Sequence, residues 1–146
     1  MSERIYLGLV HYPVYDKGGD IVATAVTNLD IHDIARMART YGISRYFMIT
    51  PLETQQEMAG RVIRHWTEGG GATYNPKRKE ALSIVSVVPD LDAVEKYIEA
   101  ECGMSPVIVA TTGPVKCNGL ELTSCWSTHG RGNVEKGDVD QCVVFE

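Results

Sequence analysis

Residues 24–51, TAVTNLDIHDIARMARTYGISRYFMITP, decide how this chain is read. Ile31, Ile34, Ala35, Ala38 and Tyr41 recur at helical spacing and form an apolar stripe. Asp30 is placed to cap that helix, with Asp33 answering it, and Gly42 is a natural stop. Arg45 to Thr50 then reads as a strand. One unit of helix followed by strand predicts an α/β chain, and the flanking sequence repeats the unit.

Upstream, Ile5 to Val10 is a continuous apolar run ended by His11-Tyr12-Pro13 and a turn at Asp16 to Asp20. Ile21 to Val26 is a short strand or an extended loop. Downstream, Thr50-Pro51-Leu52-Glu53 has the form of a second capping box, with Pro51 at the first helical position. Leu52, Met58, Ala59, Val62, Ile63 and Trp66 supply that helix with its buried face. Gly69-Gly70-Gly71 reads as a flexible loop, and Asn75-Pro76 opens a short helix through Leu82. Ser83 to Val88 is a strand. Asp90 caps a long helix with Leu91, Val94 and Ile98 inward and Gly103 as its stop, and Val107 to Thr111 is another buried strand. Alternation of strand and helix predicts a mostly parallel open sheet flanked by helices, with right-handed crossovers. Periodicity fades from Gly113 onward, where Gln141 to Phe145 is read as a closing strand.

The 146 residues suit one domain with a real core. A net charge of −5 argues against a dedicated nucleic-acid binder and leaves room only for a local basic patch. No apolar run reaches the roughly 18 residues that a membrane-spanning helix needs. MSERIYLGLV lacks the regions of a signal peptide, and four cysteines without small-scaffold spacing imply reduced thiols, so a cytoplasmic location is expected. Cys117, Cys125, His129 and Cys142 lack the close cysteine pairs of a structural zinc site, and no metal is expected.

The basic patch has two parts. His32, Arg36 and Arg39 follow one another at i, i+4 and i+7, on the face of their helix opposite the apolar stripe. Two guanidiniums and an imidazole there suit phosphate oxygens, because the planar fork of arginine binds them bidentately. Taken alone, such a row is also what a solvated helix face looks like. Arg61, Arg64 and His65, then the three glycines, then Tyr74-Asn75-Pro76-Lys77-Arg78-Lys79 form the second part: Lys77 and Arg78 bring charge and Tyr74 a ring able to stack on a base. His11 ends the first strand, at the edge where open α/β sheets place ligands, as a base, an RNA contact or a structural histidine.

The order Asn28…Arg36-x-Ala38-x-x-Tyr41-Gly42 resembles the first motif of the α/β-knot (SPOUT) RNA methyltransferases. With HYPVYDKGG, TNLDIHDIAR, HWTEGGGATYNPKRKEAL and VIVATT, residues 4–112 are similar to a small bacterial family of AdoMet-dependent RNA methyltransferases. The resemblance implies an α/β-knot domain over residues 1–112, S-adenosyl-L-methionine as cofactor and tRNA or rRNA as substrate. It also implies a homodimer, with neither DNA nor a membrane as partner. It implies Arg36 as the catalytic or phosphate-positioning residue and Asn28 shaping the loop before the helix. RNA contact would come from Asn28, His32, Arg39, His11, Tyr74, Lys77 and Arg78, and cofactor contact from Thr111 and Thr112. Residues 113–146 stand apart as a divergent tail, its knot region altered or truncated, for which poor order or a shifted reading frame is the expected cause. A non-catalytic RNA-binding module lacking the cofactor half is the alternative. A flavodoxin-type nucleotide binder is disfavoured, since His11-Tyr12-Pro13 offers no phosphate loop after the first strand.

Overall fold

A computed structural model describes residues 4–12, 14–15, 17–110, 115–117, 120–122, 127–128 and 141–145. In chain order the elements are β1 (Arg4–Val10), β2 (Val14–Tyr15), β3 (Ile21–Val22), α1 (Asn28–Thr40), β4 (Arg45–Ile49), α2 (Glu53–Thr67), α3 (Gly70–Tyr74) and α4 (Pro76–Leu82). They continue with β5 (Val85–Val88), α5 (Leu91–Cys102), β6 (Val107–Ala110), β7 (Val115–Cys117), β8 (Leu120–Leu122), β9 (Ser127–Thr128) and β10 (Gln141–Phe145). The main sheet has the order β5-β4-β1-β10-β6-β9. All its neighbours run parallel except β9, which is antiparallel to β6. The mostly parallel open sheet flanked by helices is thus present.

Side-chain alternation along β4 divides the core in two. Tyr46 and Met48 point to one face, where they pack with Ile31, Ala35 and Ala38 of α1, Ala59 of α2, and Ala81 and Leu82 of α4. Phe47 and Ile49 point to the other, against Val94 and Ile98 of α5. These four β4 side chains are fully buried, which explains an apolar run from Tyr46 to Ile49 after Arg45 at the strand's start. Each such side chain contributes on the order of 1.5–3 kcal/mol through burial. Small residues at 35, 38, 59 and 81 let three helices crowd onto one face, and that crowding builds the site below.

Several local expectations shift. α1 begins earlier than expected: Thr27 is the cap, its Oγ1 accepting from the Asp30 N–H at 3.2 Å while Asp30 Oδ2 accepts from the Thr27 N–H at 2.9 Å. Threonine four residues before the apolar stripe outcompetes Asp30 because Asp30 then serves as the reciprocal partner. Asn28 accordingly heads the helix instead of shaping a loop before it. α2 has no side-chain cap; buried Thr50 accepts from the Leu52 N–H at 3.3 Å, and the helix starts at Glu53. Leu52 and Met58 lie 43% and 37% exposed, so that helix buries a narrower stripe than expected. The triple glycine continues into the short helix α3 instead of a loop. Only Ile21–Val22 of the 21–26 stretch is strand, in a hairpin with Val14–Tyr15. β10, expected to close the sheet, lies inside it, between β1 and β6. Asn75 at the start of α4, and Gly42 and Gly103 at helix ends with φ of 72° and 74°, fall where expected.

Candidate nucleic-acid interface

The face of α1 that carries His32, Arg36 and Arg39 does not point away from the protein; it flanks α4 and α2. Arg39 is bonded through Nε and Nη2 to Glu80 of α4, with an Nε to Oε1 distance of 3.0 Å. One turn earlier, Arg36 lies 3.7 Å from Asp33 in an exposed pair. Arg36 also lines a groove of about 240 Å3 with Asn75, Lys77 and Arg78. Asn75 shapes the far wall: its side chain accepts from the Arg78 N–H at 3.1 Å and so starts α4 with Lys77 and Arg78 in its first turn. Two segments about forty residues apart in sequence thereby supply three cations to one concavity.

Beneath Arg78 lies Trp66 of α2. The guanidinium carbon sits 4.5 Å from the indole centroid, a cation–π contact. His32 meets the same indole edge-on, with centroids 5.9 Å apart, and His65 does so at 5.1 Å. His32 Nδ1 and Arg78 Nε are buried without a hydrogen-bond partner among the described residues. Burial holds the His32 pKa below its ordinary value; the Arg78 charge and, less, Arg36 act in the same direction, while Asp33 opposes them. His32 is therefore neutral at neutral pH.

His11 follows β1 and is buried, at 4% exposure. Its N–H donates to the Ile49 carbonyl at 2.9 Å, and its carbonyl accepts from the Thr24 N–H at 2.8 Å. Nδ1 lies 2.9 Å from Thr24 Oγ1, while Nε2 has no partner among the described residues. Burial lowers its pKa too, against a smaller opposing effect of Asp30. The chain leaves β1 for β4 and β5 on one side, and places β10 and β6 on the other. His11 thus stands at the carboxyl end of a strand where the order reverses, the usual ligand crevice of such sheets.

Of the expected site residues, the structure joins Arg36, Lys77 and Arg78 directly, and adds His32 through Trp66. Arg39 is engaged with Glu80, Asn28 is exposed at the head of α1, and Tyr74 is 85% exposed at the end of α3 without lining the groove. Thr111 and Thr112 lie outside the described residues. Two contributors were missed. Trp66 reads as a core position of α2 and Asn75 as a cap, and each is that as well. The available signal for Trp66 was the run of glycines just after it. A Cβ on Gly71 would lie 2.5 Å from Trp66 Cε3, so the absent side chain makes the seat for the indole.

The chain is similar to known proteins over most of its length. A family model described as SAM-dependent RNA methyltransferase matches residues 4–132, running past Thr112. An uncharacterized protein of Aquifex aeolicus is 35% identical over 145 residues, 99% of this chain and 68% of that one. A tRNA (guanine-N(1)-)-methyltransferase of Oleidesulfovibrio alaskensis is 42% identical over 111 residues, and one of Nitratidesulfovibrio vulgaris is 44% identical over 111. In both of these the match takes 76% of this chain but only 26% of the relative. With the family match covering nearly the whole chain, this protein belongs to the SAM-dependent RNA methyltransferase family.

Proposed function

We propose that this chain methylates RNA, with tRNA as the substrate class, and that the groove lined by Arg36, Asn75, Lys77 and Arg78 receives the RNA backbone. The observation that carries the docking site is this convergence of three cations on a chain of net charge −5. Phosphate contact dominates RNA affinity, and a local cluster delivers it without an overall basic excess. The names of the two matched bacterial relatives favour tRNA over rRNA.

Bound S-adenosyl-L-methionine would supply an electrophilic methyl on its sulfonium. The residues present fit a polar ligand at the carboxyl edge of the sheet, where buried His11 leaves Nε2 without a partner among the described residues. Thr111 and Thr112, following β6, would complete its binding. The protein's part is then positioning and proton removal. Arg36, Lys77 and Arg78 hold the phosphates, and Arg36 orients the group that loses its proton. Asn28, Arg39 and Tyr74 contribute outlying RNA contacts. A homodimer in the cytoplasm belongs to the same reading; exposed Leu29 and Met37 on α1 and Tyr41 just after it offer apolar surface to a second copy.

Calorimetric titration with S-adenosyl-L-methionine, paired with transfer of labelled methyl to total tRNA, tests the proposal. Saturable binding and labelled tRNA are expected. RNA binding without cofactor binding would leave only the non-catalytic module, and absence of both would end the reading.

A further inference from the structure

We propose that Trp66 is the positioning residue of the groove: seated on Gly71, its indole holds the Arg78 guanidinium ready for one phosphodiester of the bound RNA. The inference rests on the RNA reading above and adds a residue to it.

Four observations converge. Arg78 lies over the indole at 4.5 Å, close enough for the ring to fix the plane of the fork. Its Nε is buried and has no hydrogen-bond partner among the described residues, which suits an N–H directed at a π face and leaves the outer fork for a ligand. Among the described residues Arg78 has no carboxylate partner, whereas Arg39 has Glu80, Arg36 has Asp33 and Arg4 has Glu101. Finally, Trp66 is itself packed in place: a Cβ on Gly71 would meet Cε3 at 2.5 Å and Cδ2 at 2.9 Å, and His32 and His65 meet the ring edge-on.

The consequence is preorganisation. A free arginine loses rotamer freedom when it binds a phosphate, and that loss subtracts from affinity. An arginine already held against a fixed indole has lost much of it during folding. Leucine in place of Trp66 would keep apolar bulk and the charge of Arg78 but release the fork.

The test measures affinity of the purified chain for unfractionated tRNA, and its dependence on salt, for wild type, W66L, W66F, R78A and the W66L/R78A pair. R78A is expected to bind on the order of tenfold more weakly, with the slope of log affinity against log salt smaller by about one. W66L is expected to lose about fivefold with a similar fall in slope, W66F to recover most of both, and W66L to add little on the R78A background. Unchanged slope in W66L, or an equal loss with and without Arg78, overturns the inference while the RNA reading stands. Failure of the wild type to bind tRNA overturns both. Should W66L not fold, indole emission in a W126F background carries the same test: tRNA changes it when Arg78 is present and not in R78A. An emission change that persists in R78A overturns the inference.

Discussion

Two arginines lie over aromatic rings on opposite faces of the sheet, and they differ in one respect. Arg45 sits 5.1 Å from the Tyr97 ring centroid and donates from Nη1 to Ser86 Oγ at 2.8 Å; Tyr97 in turn packs edge-on against buried Phe47. Arg78 sits over Trp66, but its buried Nε is unpartnered among the described residues, and its groove neighbours are Arg36 and Lys77. The first pair is completed inside the protein and stiffens the α5 face. The second is left incomplete beside like charges, an arrangement that folding alone does not favour and an anionic ligand would stabilise. The same motif is structural on one face and poised for a ligand on the other, and the difference lies in what surrounds it.

The largest effect should come from breaking the completed side. Phe47→Ala removes the ring beneath Tyr97 from a fully buried site and is expected to cost about 3–5 kcal/mol, read from urea unfolding, while tRNA affinity of the folded fraction stays unchanged. A comparable loss of affinity would mean the two faces are not separable.

Gly71→Ala acts on the other side. Its Cβ would meet Trp66 at 2.5 Å, so overpacking of about 1–3 kcal/mol is expected, this time with weaker tRNA binding as the indole shifts. A stability loss without a binding loss would separate the Trp66 seat from the groove.

Acid should act through the buried histidines. His32 and His11 both have pKa values held below 6.5 in the folded chain, so the unfolded chain binds more protons as pH falls through that range. Their stability contribution is fully present above about pH 6.5 and declines below it, until the folded-state values are passed. Urea midpoints followed from about pH 8 to 5 should fall. His32→Gln should flatten that fall, and an unchanged profile would deny His32 a part in it.

The smallest effect concerns the clasp between α1 and α4. Arg39 and Glu80 are about half exposed, and Glu80→Gln is expected to cost less than about 1 kcal/mol. It also frees Arg39, so tRNA affinity should rise slightly; a fall would show that the clasp holds the groove in shape.

Much of the fold was legible because it is written in local rules. The unbroken apolar run at 46–49, the helical stripe of Ile31, Ala35 and Ala38, the Asn75-Pro76 start and the stops at Gly42 and Gly103 each follow from the period, capping chemistry or φ preference of neighbouring residues. Thr27 was missed because two acidic residues compete on paper for the role of cap, and only the helix start assigns them. In the site, Arg36, Lys77 and Arg78 were legible as charges. Their meeting was not, since α1 and α4 approach each other only through the small residues they bury against β4.

By itself, then, the sequence determined the alternation of buried strands and capped helices, the basic character of two segments and the resemblance they carry. Tertiary structure alone decided that residues 141–145 run between β1 and β6, that Arg39 closes on Glu80, and that Arg78 rests on Trp66 above Gly71. The physical reason is range. Periods and caps are settled within a few residues, whereas strand order and a guanidinium's seat depend on contacts between distant segments, whose closure no local pattern encodes.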